Sequence, residues 1–302
     1  GQVGNAYRLH FELPDGTRYE SEPQRMPQPI DISSIQGELI ELAPAQNNDD
    51  RRGLLFSALI PNNEGRIDYL RFGWQDARRV VVPYPSRFTG STLNRVVSPR
   101  PSPLDTCFAQ NQADSFVLKQ QIGNDQGGST SVEINAYALE DLTYSDTYVL
   151  KIDLYALSNQ AFDFYQRLRR VTDNSGALFD TQQGEIFGNV SAVADENDIT
   201  LGFFEVSAFK SLTEVFDLND LRDHAGISPG FDALCPSTDF FAWESNLTAF
   251  YEAEDVGGGL EIGRRASYRV YDFDNGITYL RFAQCTDCRF FGERSKPSFW
   301  VD

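Results

Sequence analysis

The residues whose spacing carries the most chemistry stand at the end of the chain. Cys285 and Cys288 frame a Cys-Thr-Asp-Cys run, followed by Arg-Phe-Phe-Gly and a Lys-Pro-Ser-Phe-Trp ending. A Cys-x-x-Cys pair can be half of a zinc site, a redox dithiol or part of a disulfide framework. A zinc site calls for a second close pair or for spaced histidines. The remaining cysteines, Cys107 and Cys235, stand alone and far apart. A redox pair is expected at a helix N-terminus, and Phe290, Phe291 and Gly292 do not begin an amphipathic helix. An even cysteine count in a secreted protein most simply means disulfides. The expectation is at least one bond from Cys107 or Cys235 to the tail. It would close a long loop and add about 3–5 kcal/mol on the chain-entropy model. Pro297, Phe299 and Trp300 then read as a clasp whose rings dock back onto the body.

No second constellation competes with it. His10 and His224 are the only imidazoles. His10 alternates with Leu9 and Phe11 as in a strand, which makes it structural. His224 follows Asp220 and Asp223 at the end of a short helical pattern, where solvent exposure is expected. A Ser-His-Asp site can be assembled from distant residues, but no Gly-x-Ser-x-Gly elbow is present. The Gly-rich runs at 125–130 and 255–263 lack the Lys-Ser/Thr of a phosphate loop and read as hairpin loops. Asp272, Asp274 and Asn275 imitate the start of a calcium loop, but the glycine comes one position early and the closing Glu is missing. Paired carboxylates for glycoside hydrolysis need a defined separation, and 44 acidic residues supply pairs by chance. The residues therefore assign no catalytic group, no cofactor site and no metal site.

The elements that would position these residues are mostly strands. The chain has 302 residues, 41% of them hydrophobic and 13% aromatic, enough for a core and too many for disorder. Its 26 basic and 44 acidic residues leave a net charge of −18, which argues against nucleic acid. No apolar run is long enough to cross a membrane as a helix. Alternating runs at 54–60, 67–74, 115–122, 148–157, 199–209 and 246–253 read as strands. Hairpins are expected at 7–21 around Pro14-Asp15-Gly16, and at 266–283 around Asn275-Gly276. Ser158 is a good N-cap, and Ala161, Phe162, Tyr165 and Leu168 follow at helical spacing. The segments 44–53 and 83–103 read as loops, and a shorter helix fits 217–224. The expected fold is mainly β, with antiparallel sheets in a sandwich-like arrangement, one amphipathic helix at about 158–172 and long loops.

Four blocks carry a family resemblance. They are GNAYRLHFELPDGTRYES with PQPIDISSI after it, Cys107-Phe108, the long block from Tyr148 to Ala208, and CTDCRFFGERSKPSFW. Together they resemble an uncharacterised family of Bacteroidota outer-membrane lipoproteins, a domain of unknown function whose genes commonly lie beside those of TonB-dependent receptors. Members carry a lipidated cysteine and a small β-sandwich domain before the Tyr-x-Leu strand. The resemblance thus implies that residues 1–30 finish an N-terminal sandwich whose other strands lie upstream. Residues 31–302 would then form the main mostly-β domain, closed by the C-terminal clasp. It also implies an oxidising, extracytoplasmic setting on the outer face of the outer membrane, through a lipid anchor upstream of Gly1.

The function this implies is non-enzymatic. The protein would be a surface-exposed subunit of an outer-membrane complex, assisting a TonB-dependent transporter in ligand capture, with a β-barrel as its partner. One alternative is an accessory subunit of an outer-membrane assembly or secretion machine. Another is an extracellular glycan or peptide hydrolase. The sequons at Asn189 and Asn246 would matter only in a eukaryotic secretory protein.

Overall fold

A computed structural model describes residues 1–43, 51–63, 65–91, 96–123, 127–142, 144–173, 186–225, 231, 234–235, 240–243, 268–275 and 277–301. The chain opens with the short strands β1 (Ala6–Tyr7), β2 (His10–Glu12), β3 (Arg18–Ser21) and β4 (Gln24–Arg25). Next come β5 (Ser34–Leu42), β6 (Arg51–Pro61), β7 (Ile67–Val81), β8 (Phe88–Ser91) and β9 (Val96–Pro99). After them run β10 (Thr106–Gln112), β11 (Val117–Ile122), β12 (Ser129–Ala138) and β13 (Ser145–Leu157). Helix α1 (Asn159–Asp173) leads to β14 (Val190–Ala192), β15 (Asp195–Ile199), β16 (Ala208–Asp217) and α2 (Leu218–Ala225). Last are β17 (Phe240–Trp243), β18 (Tyr268–Asp274), β19 (Ile277–Phe282) and the single turn α3 (Ala283–Thr286). The fold is mainly β and its strand pairings are antiparallel.

Period-two alternation builds the centre. Leu54, Phe56, Ala58 and Ile60 of β6 are buried, as are Leu70 and Phe72 of β7 and Tyr148, Leu150, Ile152 and Leu154 of β13. Alternate residues of a strand share one face, so each of these strands presents an apolar side. Sheet β12–β6–β5 faces sheet β10–β7–β13–β16 across that core, with β11 also paired to β7. Phe56 stacks on Tyr148 at 4.5 Å and meets Phe216 edge-on at 4.9 Å, joining the two layers. One polar cluster is enclosed with them. Asp76 accepts hydrogen bonds from the Tyr137 hydroxyl at 2.7 Å and from Asn111 Nδ2 at 3.2 Å. Burial, and next the Asp76 charge, push the Tyr137 phenol up to about 12.

One edge of strand β7 serves two partners, and the other edge pairs with β13. Its first half pairs with β11 and its second half with β10. Residues 113–116 link those partners beside Gly73 and Trp74, and the Ala113 N–H donates to the Trp74 carbonyl at 3.1 Å. The outward face of this sheet is half covered by α1. Ala161 and Phe162 pack there with Leu157, against Tyr69, Leu118, Tyr155 and Tyr165. Ser158 caps the helix, accepting from the Ala161 N–H at 3.2 Å.

The N-terminal hairpin turns at Gly16, where φ is +88°. Its strands are extended by β14 and β15 into a sheet ordered β15–β14–β3–β2. Residues 19–21 of the hairpin are thus paired with residues 190–192 of this same chain. Asn275, with φ +49°, turns the hairpin of β18 and β19, and β17 joins β19.

Several sequence expectations need correction. The expected strand at 199–209 is instead the end of β15 at Ile199, a stretch without strand at 200–207, and the start of β16 at Ala208. The reason is side-chain capture. Asn189 accepts from the Phe204 N–H at 2.7 Å and donates to the Phe204 carbonyl at 3.0 Å, while Phe203 stacks on Phe164 of α1. Aromatics that fit a strand pattern are used to cover the helix. The 83–103 loop contains the β8–β9 hairpin, and residues 51–53 open β6 instead of closing a loop. The expected strand at 246–253, the Gly-rich run at 255–263 and the second sequon lie outside the described residues. Among the described residues, no helix is long and apolar enough to cross a membrane.

Candidate functional site

The Cys-x-x-Cys run does not close on itself. Cys107 of β10 is bonded to Cys288, and Cys235 is bonded to Cys285. No cysteine is free. The tail runs between two segments of the body, and main-chain hydrogen bonds fix its course. Tyr84 N–H donates to the Cys285 carbonyl at 3.0 Å and Ser86 N–H to the Thr286 carbonyl at 2.7 Å. Cys288 N–H donates to the Leu104 carbonyl at 3.1 Å. Asp287 is buried and held in place by Arg289, whose Nε and Nη2 reach its two oxygens at 2.8 and 2.7 Å.

Beyond the motif, Phe108 and Glu293 exchange both main-chain hydrogen bonds, at 2.7 and 3.0 Å. This close approach requires Gly292, where a Cβ would stand 2.4 Å from the Phe108 carbonyl oxygen. Trp300 then meets Phe108 edge-on at 4.8 Å, Pro297 is buried and Phe299 is half-buried. Pro297 accepts the turn bond from the Trp300 N–H at 3.1 Å. The structure thus brings Cys107, Cys288, Pro297 and Trp300 to one edge of the central sheet, around β10.

The two histidines are not brought together. His10 lies on the exposed hairpin, 3.1 Å from Glu20. His224 sits at the end of α2, its Nδ1 2.7 Å from the Asp220 carbonyl, and that bond with the Asp220 charge raises its pKa. Among the described residues, no cluster of three or more His, Cys, Asp or Glu is placed to hold a metal ion.

The concave feature with the most ordered chemistry lies on the outward face of the central sheet. Arg71, Gly73 and Gln75 of β7 lie beside Asp153 and Tyr155 of β13, and residues 112–116 form the far wall. The hollow measures about 260 Å³. Two of its charged groups, Arg71 and Asp153, are held before any ligand arrives. Arg71 Nη2 donates to both Glu205 oxygens, at 3.2 and 3.4 Å, and its guanidinium lies between the Tyr155 and Tyr165 rings at 4.2 and 4.6 Å. Lys151 Nζ is 3.3 Å from both oxygens of Asp153. Burial, followed by the hydrogen bond and charge of Glu205, pushes the Tyr165 phenol up to about 12. The floor is Gly73, over which a Cβ would meet nothing within 4 Å.

None of the residues lining the hollow was singled out from the sequence, although a signal was present. In YLRFG and KIDLY the buried Leu70, Phe72, Ile152 and Leu154 alternate with Tyr69, Arg71, Gly73, Lys151, Asp153 and Tyr155. A strand whose outward positions mix charge, aromatic rings and a glycine marks a face prepared for contact. Which two such strands become neighbours is not written in either of them.

A family model described as "Domain of unknown function (DUF4249)" matches residues 1–213. The chain belongs to the DUF4249 family. The DUF4249 match ends within β16, so it contains the hollow on the central sheet and Cys107, while Cys235, Cys285 and Cys288 lie beyond it. The comparison with curated proteins found no match.

Proposed function

We propose that this DUF4249 protein is a non-enzymatic binding subunit on the outer face of a Bacteroidota outer membrane, anchored by a lipid upstream of the chain and assisting a TonB-dependent transporter in ligand capture. The observation that carries the reading is the pair of disulfides, which engages all four cysteines across separations of 181 and 50 residues. Such bonds persist in oxidising compartments outside the cytoplasm. The pre-ordered hollow on the central sheet supports a binding role, since two of its charged groups, Arg71 and Asp153, are already held in place. The barrel partner comes from the resemblance to lipoproteins encoded beside such receptors.

The test is gentle detergent extraction of the native membrane, purification through a tag on this protein, and mass spectrometry of what co-elutes. A stoichiometric TonB-dependent barrel supports the proposal. A larger set of assembly or secretion proteins replaces it with the accessory-subunit role, and elution without a membrane partner overturns it.

A further inference from the structure

The hollow over Gly73 combines three properties that two further hollows among the described residues do not. The one beside Leu118 is lined by Gln166, Arg169 and Arg170 and offers no aromatic face. The one against β3 and β14 has no aromatic side chain in its wall. Over Gly73, fixed polar groups, aromatic faces and vacant space above a strand occur together. We propose that this hollow is a binding site for a neutral, hydroxyl-rich ligand of the size of one sugar ring, either a monosaccharide or the end of a longer glycan.

The charges argue against an anion. Arg71 is matched by Glu205 and Asp153 by Lys151, and Asp114 adds one further carboxylate in the far wall, so the site offers donors and acceptors under a small negative excess. The whole chain carries −18 and repels anions. Neighbouring hydroxyls on a sugar ring each donate and accept. They are met by side chains of both senses here, the carboxylate of Asp153, the amide of Gln75 and the hydroxyl of Ser115. The C–H face of a sugar is apolar and packs on an aromatic ring, and Phe116 stands in the wall, while the Tyr155 ring beside it carries Arg71. At about 260 Å³ the hollow falls below the usual range for drug-sized ligands, roughly 300–1,000 Å³.

Gly73 supplies an independent argument. A glycine inside a strand weakens the sheet by up to about 1 kcal/mol. Nothing in the fold calls for one here, because an added Cβ meets no neighbour within 4 Å and φ is not in the left-handed range. The space it keeps open points away from the core, toward whatever enters from outside. The rigid surroundings lower the entropic cost of binding, since Arg71 and Asp153 are already ordered by their partners.

As the ligand of the capture role, the sugar rests on that reading. The site itself is tested on the purified chain without a membrane, so the two fail separately. The chain is screened on an array of neutral mono-, di- and oligosaccharides with their uronic-acid counterparts, and hits are titrated by calorimetry. Binding to at least one neutral glycan is expected. Gly73→Gln, whose Cβ meets no neighbour within 4 Å and whose side chain occupies the hollow, should weaken it tenfold or more at a Tm no lower than that of the wild type. Asp153→Asn should weaken it as well and keep the fold. No bound neutral glycan, a preference for the charged counterparts, or undiminished binding by Gly73→Gln would overturn the proposal, whatever co-purifies from the membrane.

Discussion

Asp76 is a carboxylate almost withdrawn from water, with 1% of its surface exposed. Burial raises its pKa above the ordinary 3.8, and the hydrogen bonds from Tyr137 and Asn111 with the nearby Arg78 charge only partly offset this. A carboxyl that holds its proton more tightly when folded stabilises the fold fully below its unfolded-state pKa. That contribution is lost as pH rises through the folded-state value. Asp76→Asn removes this titration while keeping an oxygen that can accept from Tyr137. The variant should therefore gain on the wild type between pH 4 and pH 7. Urea melts across that range check it, and parallel stability curves would count against the assignment. Nothing in the local sequence Trp-Gln-Asp-Ala marks this aspartate as buried, because its enclosure depends on Tyr137 and Asn111 arriving from other strands.

At the scale of elements, α1 shows how much a local pattern can specify. The apolar spacing from Ala161 to Tyr165 and the cap at Ser158 define a helix observed at Asn159–Asp173. Its docking adds what the pattern lacks. The Ser158 hydroxyl also donates to Gln24 Oε1 at 3.1 Å, and Gln24, at 1% exposed, is tied in turn to Gln160 at 2.9 Å. The cap thus joins the helix to β4. Ser158→Ala should cost about 1–2 kcal/mol, through the lost cap and an acceptor left buried without its donor. Chemical denaturation measures it, and a loss within about 0.3 kcal/mol of zero would show that the helix end relaxes to other partners. The short helix α2 is fixed similarly. Asp217 accepts from the Asn219 N–H at 2.8 Å, and buried Arg222 donates to the carbonyls of Leu142 at 3.1 Å and Ser145 at 2.6 Å.

Across the whole molecule, the tail acts through chain connectivity. The Cys107–Cys288 bond spans 181 residues and the Cys235–Cys285 bond spans 50. The chain-entropy model assigns such closures about 5 and about 4 kcal/mol respectively. The shorter loop lies inside the longer one, so the two effects are not additive. Cys107→Ser with Cys288→Ser should lower stability more than Cys235→Ser with Cys285→Ser, because the first pair also anchors the bridge between Phe108 and Glu293. Guanidinium melts of both double variants test this. Equal losses would mean that the main-chain bonds and the Phe108–Trp300 contact hold the tail without the longer bond.

The sequence by itself determined what short-range physics can specify. Alternating apolar residues committed β6, β7 and β13 to a sheet with one dry face, helical spacing after Ser158 placed α1, and Pro14-Asp15-Gly16 turned the first hairpin. Tertiary structure alone decided which cysteines pair, because Cys285 and Cys288 lie so close together that each partner is almost as far in sequence from one as from the other, and only the course of the tail past residues 84–86 and 104 separates them. It likewise decided that 200–207 covers a helix instead of extending a strand, since Asn189 and Phe164 compete for those aromatics from outside the segment. The hollow over Gly73 belongs to the same class. Its residues come from β7, β13, the end of β10 and the 113–116 link, and each strand's pattern shows only that its outward face is polar. Local pattern sets which side of a strand is buried, whereas a site requires that particular strands be neighbours, and long-range packing settles that.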